Sequence, residues 1–333
     1  MSQTTDRKKD HIDLAFRSAT TSQQIDDRFY YEPMLATHPK MGDHASVEVA
    51  GHRFTYPIWV SSMTGGTGLA KTINTNLARA CGDFGLGMGL GSCRKLLTSD
   101  DHLEDFAVRH HIGDQPLYAN LGIAQVEELI DQSKLHLIEE LVSKLQADGL
   151  IVHVNPLQEW MQPEGDPLVG RTPLQIIETL LETTSHKLIV KEVGQGMGPE
   201  SLKALLQLPI AAFEFGAFGG TNFAKLEALR DPLTDEIDPL CFVGHTPIEM
   251  ISFINGIADD PGIRCKDFII SGGIKNYLDG YYYNERLTSA SVYGQAAAFL
   301  RHAMEDYDSL AHFVEQQTKG YLMAAAYLRP KDS

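Results

Sequence analysis

A chain of 333 residues, 43% apolar and 22% charged, is long enough for one large core and has the composition of a globular protein, which sets aside fibrous, disordered and membrane-embedded classes. Its formal net charge of −16 argues against nucleic-acid or membrane-surface binding, since a phosphate backbone or anionic bilayer would repel it, yet leaves room for a small anionic substrate where basic residues gather. Cys81, Cys93, Cys241 and Cys265 form no CxxC pair or zinc spacing, the N-terminus is too polar for a secretion signal, and no apolar run reaches membrane-spanning length, so the expected location is the cytoplasm with free thiols.

In chain order, residues 1–57 read as an N-terminal arm. Arg7, Lys8 and Lys9 make a short basic run, either a solvated tail or a basic lid for a phosphate. The segment from Ala45 alternates around Gly51-His52 as a hairpin leading into a strand. Strand and helix then alternate. The expected strands are Ile58–Ser61, Gly87–Leu90, Leu117–Asn120, Leu150–Val154, Leu188–Val190, Ala211–Phe215, Phe268–Ser271 and Ala290–Tyr293. Ile138, Leu141, Val142 and Leu145 recur at helical spacing between them, as do Leu174, Ile177 and Leu181. Eight strands alternating with helices predict an α/β chain closing as a single-domain (β/α)8 TIM barrel over residues 58–306, with a C-terminal helix over 307–333; a doubly wound open sheet is the rival.

In such a barrel chemistry sits just after the strands. The first strand runs into Ser61-Ser62-Met63-Thr64-Gly65-Gly66, the second into Gly91-Ser92-Cys93-Arg94, and the third ends at Asn120. The fourth empties into His153, Asn155, Gln158, Glu159, Glu164 and Asp166. Lys191 closes the fifth strand, as a lysine snorkelling to water or as a cation balancing an electron-rich ring such as a reduced flavin. Gly219-Gly220-Thr221 follows the sixth, Gly272-Gly273-Ile274-Lys275 the seventh and Gly294-Gln295-Ala296 the eighth. Glycine turns on the last two strands suit a phosphate, whose oxygens need backbone N–H groups with no Cβ in the way. Glu159 reads either as a helix-start carboxylate or as the one carboxylate a Mg²⁺ needs beside water and substrate phosphates.

The ordered segments MTGG, GSxR, ANLG, HxNxLQE, QPEGD, VKEVG, GGT and SGGI, preceded by Arg7-Lys8-Lys9-Asp10-His11, run to about Leu300. Together they closely resemble the type 2 isopentenyl-diphosphate isomerases, FMN-dependent (β/α)8 barrels of isoprenoid biosynthesis. The resemblance implies interconversion of isopentenyl and dimethylallyl diphosphate by protonation and deprotonation on reduced FMN, with Mg²⁺ present and NAD(P)H as reductant. It implies Ser62, Met63, Thr64, Ser92 and Asn120 around the flavin ring, and Lys191 and Thr221 at its pyrimidine side and ribityl chain. Gly272, Gly273, Lys275, Gly294, Gln295 and Ala296 would cradle the phosphate. Arg7, Lys8, Ser92, Arg94, His153, Asn155 and Gln158 would meet the substrate, with His153, Asn155 and Gln158 as the catalytic set and Glu159 on Mg²⁺. It further implies a homo-oligomer, tetramer or octamer. The chain departs from the pattern after SGGI, where Lys275 replaces Arg and Tyr281, Tyr282 and Tyr283 replace small and aliphatic residues beside the phosphate cup.

Two other functions compete. A hydroxy-acid oxidase or dehydrogenase on the same fold would need a His/Arg pair at the late strands, where only His245 offers itself. A non-catalytic flavin- or phosphate-binding barrel would lack the acid and amide groups after the fourth strand, yet Gln158 and Glu159 are present.

Overall fold

The computed structural model describes residues 10–62, 69–162, 165–166, 170–230 and 237–331. Arg7, Lys8, Met63, Thr64 and Glu164 lie outside them. Twelve strands are found among the described residues: β1 (Phe29–Tyr31), β2 (Val47–Val49), β3 (His52–Phe54), β4 (Ile58–Val60), β5 (Gly87–Gly89), β6 (Leu117–Gly122), β7 (Gly149–Val154), β8 (Lys187–Glu192), β9 (Ala212–Glu214), β10 (Asp267–Ser271), β11 (Ala290–Gln295) and β12 (Leu328–Pro330). β4 to β11 pair in parallel, each with its neighbour in the chain, and β11 returns to β4 to close the barrel. The eight expected strands are these eight, with ends shifted by one or two residues.

Alternation within each strand builds the inside. Ile58 and Val60, Leu150 and Val152, Leu188 and Val190, and Phe268 and Ile270 join the layer packed on the helices, while Trp59, Tyr118, Ile151, Ile189, Ala212, Ile269 and Val292 form a separate cluster in the barrel. Glycine on β5 makes room for the indole: a Cβ on Gly87 would sit 2.7 Å from Trp59 Cζ3. The β2–β3 hairpin, turning through Ala50 (φ +55°) and Gly51 (φ +70°), supplies Val49, Ala50 and Phe54 to the same cluster and so plugs the amino-terminal end of the barrel. Its tip is tied on both sides, by Lys187 Nζ donating to Ala50 O at 2.8 Å and Ala50 N donating to Asp267 Oδ2 at 2.9 Å.

The helix Pro173–Thr183 forms as its spacing predicts: Ile177 is buried and Leu181 packs against the core as expected, and Ile176 and Leu180 are buried with them. Leu174 instead lines a second cavity with Leu157 and Met197.

The chain ends meet outside the barrel, where β1 pairs antiparallel with β12. Of the three tyrosines that depart from the resembled pattern, Tyr281 and Tyr282 belong to this seam, and Tyr283 meets the Tyr282 ring edge-on at 5.4 Å. Phe29 stacks on Tyr281 at 6.0 Å and meets Tyr282 edge-on at 5.6 Å, and Tyr281 Oη donates to Leu328 O at 2.9 Å. Tyr321, from the C-terminal helix Tyr307–Tyr327, stacks on Tyr293 of β11 and packs against Tyr281. Tyr321 is thus buried against the barrel and Tyr327 beside Tyr31 and His38 of the N-terminal segment, whereas Met323 is exposed. No helix among the described residues is long and apolar enough to cross a membrane.

Trp59 is fully buried and fills the space the β5 glycines leave. Trp59→Ala is expected to cost about 3–5 kcal/mol of stability, read as a lowered urea midpoint with little change in slope.

Candidate active site

Two residues beyond the apolar cluster, the same pleat turns Ser61, Asn120, His153, Lys191, Glu214, Ser271 and Gly294 inward at the carboxyl ends of the strands. A cavity of about 370 Å³ opens there. Of the expected residues, Ser62, Lys191, Thr221, Gly272, Gly273, Lys275, Gly294, Gln295 and Ala296 line it. The tyrosine departures therefore leave the turns themselves together.

The glycine turns approach one another as a phosphate cradle requires. Gly272 (φ +95°) and Gly273 (φ +76°) adopt backbone that favours glycine, and a Cβ on Gly220 would lie 2.9 Å from Gly273 N. The helix Ala297–Glu305 begins at this cradle with no side-chain cap, so its first N–H groups and its dipole face the cavity. Gln295 Nε2 donates to Ile274 O at 3.2 Å, while its buried Oε1 and the Ser62 hydroxyl have no partner among the described residues.

Lys191 is 8% exposed and donates to Glu192 O at 3.1 Å. Burial pulls its pKa down, and the carboxylates of Glu214 and Glu192 oppose that. Glu214 stands opposite it in the β8–β9 register. Ser61 Oγ donates to Glu214 Oε1 at 2.6 Å, Oε2 has no partner among the described residues, and burial drives this carboxyl up. Glu192 turns the other way: its Oε2 accepts the N–H groups of Gly194, Gln195 and Gly196, each at 2.7 Å. Burial raises it to about 7 against those three donors, which favour the charged form.

On the other flank of Lys191 lies His153. Asn120 Nδ2 donates to Leu90 O at 2.9 Å, which fixes the amide so that its Oδ1 faces His153 Nδ1 at 2.8 Å. Nδ1 therefore carries the proton and Nε2 is a bare acceptor. Burial and the neighbouring ammonium lower this imidazole to about 3.

Asn155, 2% exposed, opens the short helix Pro156–Met161 and holds the next turn: its Nδ2 donates to Gln158 Oε1 at 3.1 Å and to Glu159 Oε1 at 2.9 Å, leaving Oδ1 without a partner among the described residues. Gln158 Nε2 donates to Glu227 Oε1 at 3.3 Å, and Arg230 pairs with the other oxygen of Glu227. Glu159 Oε2 accepts Asp166 N at 2.8 Å, and Asp166 pairs with the exposed Arg94 at 2.8 Å. Ser92 is exposed after β5, near Arg94 in sequence. His245, the rival's one candidate, packs edge-on against Phe253 at 5.5 Å and is not among the residues lining the cavity.

Glu214 and Glu227 were missed in the sequence. Glu214 carries the same signal as Lys191, a charge in an otherwise apolar strand; Glu227 sits in a helix after the sixth strand and reads there as a solvated face.

No protein-family model matches the sequence. Curated relatives do: isopentenyl-diphosphate delta-isomerase of Rickettsia peacockii (strain Rustic) is 32% identical over 308 residues, covering 90% of this chain and 86% of that protein. The enzyme of the same name from Halobacterium salinarum (strain ATCC 700922 / JCM 11081 / NRC-1) is 34% identical over 318 residues, covering 92% and 85%. The chain belongs to the isopentenyl-diphosphate delta-isomerase family. Its closed barrel agrees with the type 2 branch that its ordered motifs resemble. Among solved structures, a mandelate oxidase variant with an FMN adduct (TM-score 0.57, 14% identity, 92% of this chain and 89% of that one) and a flavocytochrome b2 variant with sulfite bound (0.61, 15%, 89% and 71%) share the fold.

The neutral His153 makes a pH prediction. The unfolded chain takes a proton there below the ordinary 6.5, the native chain only below about 3, so the stability that His153 contributes falls as pH drops through that window, while Glu192, raised to about 7, works in the opposite direction. The His153 contribution is about 1.4 kcal/mol per pH unit, read as the difference in pH slope between the wild type and His153→Gln. Urea midpoints at pH 6.5 and pH 4.5 for both proteins check this, equal slopes counting against it.

Proposed function

We propose that this enzyme interconverts isopentenyl diphosphate and dimethylallyl diphosphate, using reduced FMN in the 370 Å³ cavity and Mg²⁺ beside Glu159. The observation that carries the reading is the cavity itself: a glycine cradle and an uncapped helix start at one end, and a buried lysine at the other. A group with a phosphate tail and a planar, electron-rich ring fits that polarity. The unpartnered Gln295 Oε1 and Ser62 Oγ offer it further hydrogen bonds.

Gly272, Gly273, Lys275, Gly294, Gln295 and Ala296 would hold the phosphate, Thr221 the ribityl chain, and Ser62 and Lys191 the ring; Met63, Thr64, Ser92 and Asn120 complete the set the resemblance assigns. When bound, reduced FMN would supply a transferable N–H proton and an electron-rich face beside which an unactivated alkene can be protonated. No group of three or more His, Cys, Asp or Glu that could hold a metal exists among the described residues. Mg²⁺ would therefore rest on Glu159, waters and the diphosphate, a coordination typical of that ion. Arg7, Lys8 and Arg94 would supply charge for the diphosphate, with NAD(P)H as the source of reducing equivalents, and a tetramer or octamer the working assembly.

Within the chain, Lys191 would place positive charge at the ring from the floor of the cavity. Asn155 sets the direction of Gln158 and Glu159 together, so the amide at the alkene and the carboxylate at the diphosphate keep one spacing. Gln158 is neutral and cannot retain a proton, whereas Glu227, hydrogen-bonded behind it, can.

The deciding experiment is an anaerobic assay with isopentenyl diphosphate, FMN, Mg²⁺ and a reductant, omitting each in turn. Dimethylallyl diphosphate should form only with all four. Oxidation of a 2-hydroxy acid instead would move the protein to the oxidase class. Glu159→Gln should spare flavin binding and weaken the Mg²⁺ dependence of turnover, and an unchanged Mg²⁺ titration removes Glu159 from the site. Glu227→Gln should lower kcat by about 10²-fold or more with little change in KM. Wild-type kcat in that variant excludes Glu227 from proton transfer.

A further inference from the structure

The phosphate cradle has an anchor outside the barrel. Lys275 N, the amide that ends the Gly272–Lys275 turn, donates to Asp279 Oδ2 at 2.8 Å. This bond is separate from the cap of the helix Tyr277–Arg286, because Asn276 Oδ1 already accepts the N–H groups of Leu278 and Asp279. The other oxygen of Asp279 accepts Arg28 Nη1 at 2.9 Å. Arg28 comes from the segment leading into β1, about 250 residues earlier in the chain. Its guanidinium is fixed from two further sides: Asp26 takes Nε at 2.8 Å and Nη2 at 2.6 Å, and the Tyr282 ring lies 5.2 Å from Cζ. Its backbone is held as well, with Lys331 N donating to Arg28 O at 2.8 Å beside the β1–β12 pair.

A partly exposed ion pair of this kind adds little to global stability, about 0–1 kcal/mol. Its placement has a local consequence. Gly272 and Gly273 in succession form permissive backbone in the cavity wall, so the turn's shape depends on what holds its two ends. Gln295 holds Ile274 O from the barrel side, and Asp279 holds Lys275 N from the outside. We infer that Arg28 is a positioning residue for the anion-binding turn: through Asp279 it fixes the Lys275 amide, so that the N-terminal strand is part of the site for the ligand's phosphate. This rests on the flavin reading above and adds to it that phosphate affinity is set partly by a residue far from the cavity. Ordering of β1 and binding of the phosphate are then coupled.

The test compares FMN with riboflavin, which lacks only the phosphate. Both are titrated into the full-length chain freed of flavin, and binding is followed by flavin fluorescence. Arg28→Gln is expected to raise the Kd for FMN about tenfold and to leave the Kd for riboflavin within about twofold. Arg28→Lys, which keeps the charge but loses the fork, should fall between. The double variant Arg28→Gln/Asp279→Asn should bind FMN no more weakly than Asp279→Asn alone, because the arginine acts through that carboxylate. An equal loss for both flavins, or no loss for either, overturns the inference and leaves Arg28 as a clip between the chain ends. A wild-type chain that binds riboflavin as tightly as FMN, or binds neither, overturns the flavin-phosphate reading as well.

Discussion

Keeping an ammonium group inside a barrel sets the terms for everything around Lys191. A buried cation is tolerated only where nearby charge and hydrogen bonds replace the water it has lost. The strand register supplies them asymmetrically, with Glu214 on β9 to one side and His153 on β7 to the other. The carboxylate supports the charge; the imidazole, deprived of water and next to a cation, stays neutral. Burial first, and the neighbouring charge second, keep His153 neutral, and its contact with Asn120 leaves Nε2 as an acceptor. The Asn120 amide holds that arrangement from behind, anchored on the carbonyl of Leu90.

The glycine turns answer a different constraint. An anion must be met by backbone N–H groups at close range, which needs residues without side chains, and such residues hold no shape of their own. The protein resolves this by pinning the turn from both sides, through Gln295 within the barrel and Asp279 outside it. The seam of chain ends, with Phe29, Tyr281 and the β1–β12 pair, is what keeps Arg28 on Asp279. Tyr281 and Tyr282, which look out of place beside the glycine turns, are thus packed outside the barrel against Phe29 of the first strand.

The apolar plug below and the polar layer above are two consequences of one pleat. Trp59, Ile151, Ile189 and Ile269 close the amino-terminal part of the barrel together with the β2–β3 hairpin. Two residues later the same side of each strand carries Ser61, His153, Lys191 and Ser271. A rigid, dry floor under a polar ring is what allows small changes of position in the site to matter.

Much of this was legible in the sequence, for a local reason. Strand and helix repeat at periods of two and about 3.6 residues, so apolar runs marked all eight barrel strands, and Gly51-His52 marked the hairpin. Strand ends located the glycine turns, Lys191 and the His153–Glu159 segment, because in a barrel those ends converge whatever the details of packing. Pairings across the fold were not legible. Whether Glu214 faces Lys191, whether Glu227 reaches Gln158, and that Arg28 supports a turn some 250 residues away all depend on register and closure. Sequence by itself determined the elements and which chemistry lies at their ends, since both are written in neighbouring residues. Only the tertiary structure decided which of those groups share a proton, a charge or a hydrogen bond, since that depends on distances no local pattern encodes.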